Sequence, residues 1–208
     1  MLRLWGRANS SNVMKVIWLL EELRVPYERR DVGGPFGQTD TPQYRAMNPN
    51  GLVPTIEEED GFTLWESNAI LRYLCAKHAP DSPLWPQDLR ERANVDRWMD
   101  YQQTALNAPQ GVVFLGLVRT PPEKRDMAAI GAAAQQVGRI WSILDAELAR
   151  HPFVAGERLT LADMSYGPHI HRWFSFAIAR PETPHLRRWY DRLLAMPIYA
   201  KHLAVTPT

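Results

Sequence analysis

Three short segments carry side chains that can do chemistry, and each stands at a junction between predicted elements. Ser10-Ser11-Asn12 follows the alternating run Leu2-Arg3-Leu4-Trp5 and precedes a helical pattern. Ser and Asn there can cap the helix by accepting from its free backbone N–H groups, and taken alone that is the simpler account. The same hydroxyls, aimed at the positive end of the helix, can instead hold a bound anion. Asn48-Pro49-Asn50-Gly51-Leu52-Val53-Pro54 opens a hairpin. A proline there reports a cis bond or a strand edge, and the Val53 main chain beside it can pair with an extended peptide as an added strand. An isolated Val-Pro is otherwise an ordinary edge strand. The third segment, Trp65-Glu66-Ser67-Asn68-Ala69-Ile70, joins a strand to a helix, with Ser67 as its N-cap. Free N–H groups at that junction can hold a carboxylate, while Glu66 can neutralise a primary amine. A carboxylate grip beside an amine grip suits an α-amino acid head.

The elements that must position these segments are legible from periodicity. After the first strand, Val13, Val16, Ile17, Leu20 and Leu23 recur at helical spacing, and Pro26 ends that helix. Tyr27 to Val32 reads as a second strand. Gly33 to Gly51 is mostly loop, with a short helix near Tyr44. Residues 53–57 and 62–65 flank Asp60-Gly61 as a β-hairpin. Ile70, Leu71 and Leu74 then mark a helix running to about His78. Pro80, Asp81, Ser82, Pro83 and Pro86 form a linker. Beyond it strand signals vanish, and helical stretches are predicted over roughly 87–116, 122–150, 160–179 and 183–195. The predicted architecture is an α/β unit of order βαβαββα over 1–79, a linker over 80–86, and an all-α unit over 87–208.

Taken together, these segments resemble those of the cytosolic glutathione S-transferases, in the bacterial type that uses serine or threonine rather than tyrosine. The resemblance rests on Ser10-Ser11-Asn12 with Lys15-Val16, on residues 48–54, on Glu66-Ser67-Asn68-Ala69-Ile70-Leu71-Arg72-Tyr73-Leu74, and on residues 155–163, Ala-Gly-Glu-Arg-Leu-Thr-Leu-Ala-Asp. It covers the whole chain and implies a thioredoxin-like first unit, glutathione as co-substrate without a metal, a small apolar electrophile as second substrate, and a homodimer. It further implies that Ser10 hydrogen-bonds the glutathione sulfur, or Ser11 if the register is shifted by one, with Asn12 assisting. Val53, ahead of a cis Pro54, would pair with the cysteinyl unit, and Glu66 with Ser67 would grip the γ-glutamyl head. Leu52 stands where many relatives place a polar residue that touches the glycine carboxylate.

The implied chemistry is physically sufficient. A free thiol titrates near about 8.5, and lowering that by about two units takes roughly 2.7 kcal/mol in favour of the anion. A hydrogen bond to a charged acceptor contributes about 1.5–3 kcal/mol and a helix N-terminus about 0.3–1 more. No general base is required. The same fold and ligand would also serve a glutathione-dependent disulfide reductase working with two glutathione molecules, or a non-catalytic binding protein.

Other residues read as structural. Thr160 and Asp163 fit a capping box with Asp in the place of Glu, supported by a Leu159–Met164 staple. His169 and His171, two apart on a helix, point to different faces and make a poor metal pair. Cys75 is a packing residue, and Glu57-Glu58-Glu59-Asp60 a solvated turn. Trp98, Tyr101, Phe114, Tyr166 and Trp173 are expected in the core, with an apolar pocket as the alternative.

Composition narrows the class further. The chain has 208 residues, 45% hydrophobic and 23% charged, with a formal net charge of +1. That balance supplies no general field for nucleic acid or an anionic membrane. One cysteine permits neither an internal disulfide nor a CxxC pair nor a cysteine zinc site. The opening residues reach charge and glycine too soon for a secretion signal, and no apolar run approaches the ~20 residues of a membrane span. A cytoplasmic protein without membrane or nucleic-acid partners is expected.

Overall fold

The structure is a computed structural model describing residues 1–208. Its first part follows the expected order: β1 (Leu2–Trp5), α1 (Ser11–Glu22), β2 (Tyr27–Arg30), α2 (Pro42–Met47), β3 (Thr55–Glu57), β4 (Thr63–Trp65) and α3 (Ser67–His78). The four strands form one sheet in the order β2-β1-β3-β4. β1 runs parallel to β2, with Leu2 opposite Tyr27, and antiparallel to β3, with Leu4 opposite Ile56. β3 and β4 make the hairpin, Ile56 facing Leu64. α1 and α3 pack on each other against one side of the sheet. α2 contacts β4, and its Tyr44 ring stands edge-on to Trp5 of β1.

The rest is helical: α4 (Leu89–Tyr101), α5 (Asn107–Phe114), α6 (Met127–Leu148), α7 (Leu161–Ser175), α8 (Pro184–Leu194) and α9 (Pro197–His202). The first helix expected here is not one regular rod. π-helical turns at Gln102–Leu106 and Leu115–Arg119 interrupt and extend it. Pro121-Pro122 confine the next residues to a 3₁₀ turn, so α6 starts only at Met127, capped by Asp126. The short α9 has too few turns to leave a periodic signal.

The sequence pattern gave α1 one apolar face, yet its residues from Val13 to Leu20 are all buried. The reason is that α1 is sandwiched, with the sheet and α3 on one side and α7 and α9 on the other. Trp18 meets Tyr199 edge-on at 5.1 Å between ring centroids, and Gly167 of α7 lies directly beneath Trp18. One continuous apolar core therefore runs from Leu4 through Trp18 to Trp173 and Leu203, through both parts of the chain. Trp98, Tyr166 and Trp173 belong to it; Cys75 is buried in it, and burial pushes its thiol up to about 11.

Asp163 anchors the start of α7. Fully buried, it accepts from the backbone N–H groups of Val154 and Thr160 (both 2.9 Å), from the Thr160 hydroxyl (3.1 Å) and from Trp189 Nε1 (2.9 Å). Burial raises its carboxyl to about 6 against the pull of those donors. The acidic hairpin is less solvated than expected. Glu57 accepts from Arg3 and Trp5, and Glu58 from Tyr73 and Lys77, leaving Glu59 and Asp60 exposed.

Candidate functional site

Ser10 sits at the N-cap of α1 in extended conformation, but its hydroxyl makes no bond to the helix. Capping therefore does not account for this side chain. Ser11 is the first helical residue, and both serines are almost buried, 7% and 9% exposed. Asn12, one position on, accepts from the Ser67 hydroxyl at 3.4 Å and so ties the start of α1 to the start of α3.

The Val53–Pro54 peptide bond is cis. Its loop is held from behind: the Leu52 carbonyl accepts from the Tyr44 hydroxyl at 2.6 Å and from Asn48 Nδ2 at 2.8 Å, and both donors also reach Thr55 Oγ1. The Leu52 side chain is left in solvent at 66% exposure, so this residue offers its main chain and no polar contact. Val53 packs against the β1–α1 loop, where a Cβ on Gly6 would stand 3.3 Å from Val53 Cβ. Only glycine fits there, since Gly6 has a φ of 155° and also abuts Val13. That close approach sets the cis-proline loop against the β1–α1 loop that leads to Ser10.

Glu66 occupies the cap position of α3, with Ser67 the first helical residue rather than the cap. Two details explain the difference. Glu66 has a φ of 74°, a left-handed conformation that costs a non-glycine residue of order 1–3 kcal/mol. The Ser67 hydroxyl is also engaged elsewhere, donating to Asn12 and accepting from Lys15. The exposed Glu66 carboxylate makes no cap bond.

Lys15 was visible in the sequence only as part of a motif, yet it organises this corner. It is fully buried, with Nζ 2.7 Å from Gln102 Oε1, 3.3 Å from Asn68 Oδ1 and 3.4 Å from Ser67 Oγ. Burial pulls its amine down to about 7, with the Glu66 charge acting in the opposite sense. Gln102, in the π-helical turn after α4, passes the chain on to His169 Nε2 at 3.2 Å. Burial and the charges of Lys15 and Arg172 hold His169 well below the usual range, so it is neutral and its Nε2 accepts from the Gln102 amide. The polar line Asn12–Ser67–Lys15–Gln102–His169 thus crosses from the sheet side to α7. A single lysine inside the apolar run from Val13 to Leu20 was the signal for it.

His169 and His171 take separate partners, His171 bonding the Tyr190 hydroxyl and the Val205 carbonyl. Of the aromatics expected in the core, Tyr101 is only partly buried, and Phe114 lies in a second, smaller apolar cluster with Val113, Ala133, Ala134 and Phe176, with Arg172 4.0 Å and Arg119 5.8 Å from its ring centroid. A surface depression lined by Leu2, Leu23, Arg24 and Glu58 among others lies at the N-terminal edge of the sheet, away from all of these groups.

Residues 9–77 match the model of the glutathione S-transferase N-terminal domain, and residues 125–192 that of the C-terminal domain. Over 180 residues the chain is 44% identical to the glutathione S-transferase GstB of Escherichia coli K12, covering 86% of each chain. The chain belongs to the glutathione S-transferase family. Among solved structures, this transferase is similar to a theta class glutathione S-transferase of Xanthomonas axonopodis pv. citri crystallised with glutathione bound. The two share 46% identity and a TM-score of 0.95, with coverage of 100% of this chain and 99% of that one. A poplar glutathione transferase F2 aligns at 25% identity and a TM-score of 0.86, over 97% and 96%.

Proposed function

We propose that this chain conjugates glutathione to small electrophiles and that Ser10 holds the glutathione thiolate. The observation that carries the reading is the Ser10 hydroxyl, placed at the N-terminus of α1 and unused by the helix it precedes. Ser11 is its neighbour in reach, and Asn12, bonded to Ser67, fixes the approach from α3. The Val53 main chain, beside Pro54 and the pinned Leu52 carbonyl, would pair with the cysteinyl unit. The strained, exposed Glu66 and the first N–H groups of α3 at Ser67 would take the amine and carboxylate of the γ-glutamyl head.

In this mechanism the thiol releases its proton to solvent, and the sulfur anion is held by one hydroxyl hydrogen bond and the positive end of α1. The sulfur then forms a bond to the electrophilic carbon while the leaving group departs with its electron pair. The chain's own cysteine takes no part, since Cys75 is buried with its thiol pushed up. We extend the same reading to the organisation of the chain: 1–79 as the glutathione unit, 87–208 as the electrophile unit, joined by 80–86. Two copies assemble as a dimer in the cytoplasm. No helix is long and apolar enough to cross a membrane.

The test is a pH titration of the ultraviolet band of bound thiolate in the wild type, Ser10→Ala and Ser11→Ala. The wild type is expected to hold the thiol well below its free value, and Ser10→Ala to raise it by about one to two units, the worth of one charge-assisted hydrogen bond. A shift in Ser11→Ala alone moves the role by one residue. An unshifted thiol in saturated wild type refutes the mechanism.

A further inference from the structure

We propose that Arg7, Arg119 and Arg172 form an anion site beside the thiolate position, and that the electrophile this enzyme takes carries a carboxylate or a like anionic group next to its apolar reacting part. The proposal rests on the transferase reading above and adds the substrate's charge to it.

The three guanidinium groups converge from distant parts of the chain. Arg7 lies in the β1–α1 loop three residues before Ser10, its side chain running over Gly34, where an added Cβ would stand 3.1 Å from Nε. Arg172 comes from α7 and reaches the same loop, donating to the Asn9 carbonyl at 2.8 Å. Arg119 comes from the π-helical turn after α5, and it shares the Phe114 ring with Arg172.

No side-chain carboxylate bonds any of the three, and neither Arg7 nor Arg172 meets a terminal one. The charges felt by Arg172 are those of Arg7 and Arg119, and the charge felt by Arg7 is that of Arg119, like on like. Arg172 donates to the Asn9 carbonyl, and Arg119 to a terminal oxygen of Thr208, the last residue of the sequence. Arg7 Nε is buried with no acceptor at all. Arg172 is itself only 8% exposed, and burial with two like neighbours pulls its guanidinium down to about 10. Arg7 and the buried Arg172, two like charges with no carboxylate in contact, are costly to a fold unless an anion from outside completes them.

The place of the cluster selects which anion. Two of its three members and the Phe114 ring belong to the helical part, whereas the residues proposed to grip glutathione belong to the sheet part. The ring supplies an apolar wall for the reacting portion of the second substrate, and the guanidinium groups supply planar donor pairs that match a carboxylate. Asn9, whose carbonyl holds Arg172, is covalently next to Ser10. An anionic group on the arginines would thus set the electrophilic carbon within a short reach of the sulfur.

The experiment compares 4-chloro-3-nitrobenzoate with 4-chloro-3-nitrobenzamide as second substrates in the wild type and in Arg119→Gln. That residue is exposed and its replacement leaves the core intact. In both reactions the sulfur bonds to the ring carbon and chloride leaves. Binding of the unreactive 3-nitrobenzoate and 3-nitrobenzamide is measured beside them by calorimetry. The carboxylate is expected to exceed the amide at least tenfold in kcat/KM, after correction for the solution rates, and in affinity. Arg119→Gln should reduce both preferences about tenfold, with KM for glutathione unchanged. Equal treatment of the two members of each pair overturns the proposal, even where the amide is turned over well and the transferase reading stands. A rise in KM for glutathione with the carboxylate preference intact also overturns it, because the arginines would then serve the tripeptide. Carboxylate-selective binding without turnover of either chloride supports the anion site while the transferase reading fails.

Discussion

Replacing Lys15 by methionine should change how the stability of this protein depends on pH. Methionine keeps most of the volume and removes the amine that now faces Gln102, Asn68 and Ser67. In the folded chain burial holds the Lys15 amine at about 7, against 10.5 for an unhindered lysine. Between those two values the unfolded chain binds a proton that the folded chain has already released. Stability rises with pH wherever the unfolded state binds more protons, at most about 1.36 kcal/mol per pH unit for one group. From pH 7.5 to 9.5 the native amine is mostly neutral and the unfolded one mostly charged, so Lys15 contributes an increase of about 2.5 kcal/mol over that interval. Other groups titrate there too, notably Cys75, whose raised thiol acts in the opposite direction above pH 9, but they are common to both proteins. The difference between the wild-type and Lys15→Met slopes isolates the lysine. Urea unfolding followed by tryptophan fluorescence at fixed protein concentration measures it. Wild type should gain on the variant by about 2.5 kcal/mol between the two pH values. Parallel slopes would mean that Lys15 keeps its proton in the fold, and the account of the buried polar line would be wrong.

Two further substitutions test how the parts are joined. Gly167→Ala places a Cβ 2.5 Å from Trp18 Cζ3 and 3.1 Å from Tyr199 Cε2, so α7 must back away from α1. Overpacking of this kind costs about 1–3 kcal/mol, and differential scanning calorimetry should record a fall in Tm of several degrees. Asp163→Asn turns an amide toward one of the N–H groups of Val154 or Thr160, setting donor against donor in a fully buried place. A loss of about 2–3 kcal/mol in chemical denaturation is expected, with the thiolate band of bound glutathione unmoved, as befits a helix anchor remote from the sulfur.

Much of this molecule is legible in its sequence because the relevant signals are local. Leu2 and Leu4 alternate, the hairpin turns at Asp60-Gly61, and Thr160 is followed three residues later by Asp163; each feature is decided by neighbours within one or two turns of chain. The candidate glutathione residues are legible for the same reason, being clustered at three junctions between elements. What periodicity misses is set by distance along the chain. α1 appears one-faced because its second buried face exists only after α7 and α9 fold back on it. Ser67 looks like a cap, and its hydroxyl is diverted by Lys15 and Asn12, which lie 52 and 55 residues away. The arginine cluster spans residues 7 to 172, and no local pattern announces it.

These two classes of residue meet at one helix, and that meeting explains why the two parts of the chain share a core. The N-terminus of α1 carries the free hydroxyl proposed for the sulfur, and its first turns carry Asn12 toward α3 and Lys15 toward α4 and α7. A small α/β unit that held glutathione alone would need only one buried face on this helix. With both faces buried, the start of α1 is fixed relative to the helical part by Trp18 on Gly167 and by Lys15 on Gln102. The Arg172–Asn9 bond completes the fixation one residue before Ser10. On the proposed reading, a sulfur anion at Ser10 and an electrophile against Phe114 would keep a constant separation without any moving element. The catalytic gain from such positioning is lost quickly when the reacting atoms shift by an ångström. Substitutions that loosen α1 from α7, Gly167→Ala first among them, should therefore lower kcat/KM for the electrophile more than they weaken glutathione binding.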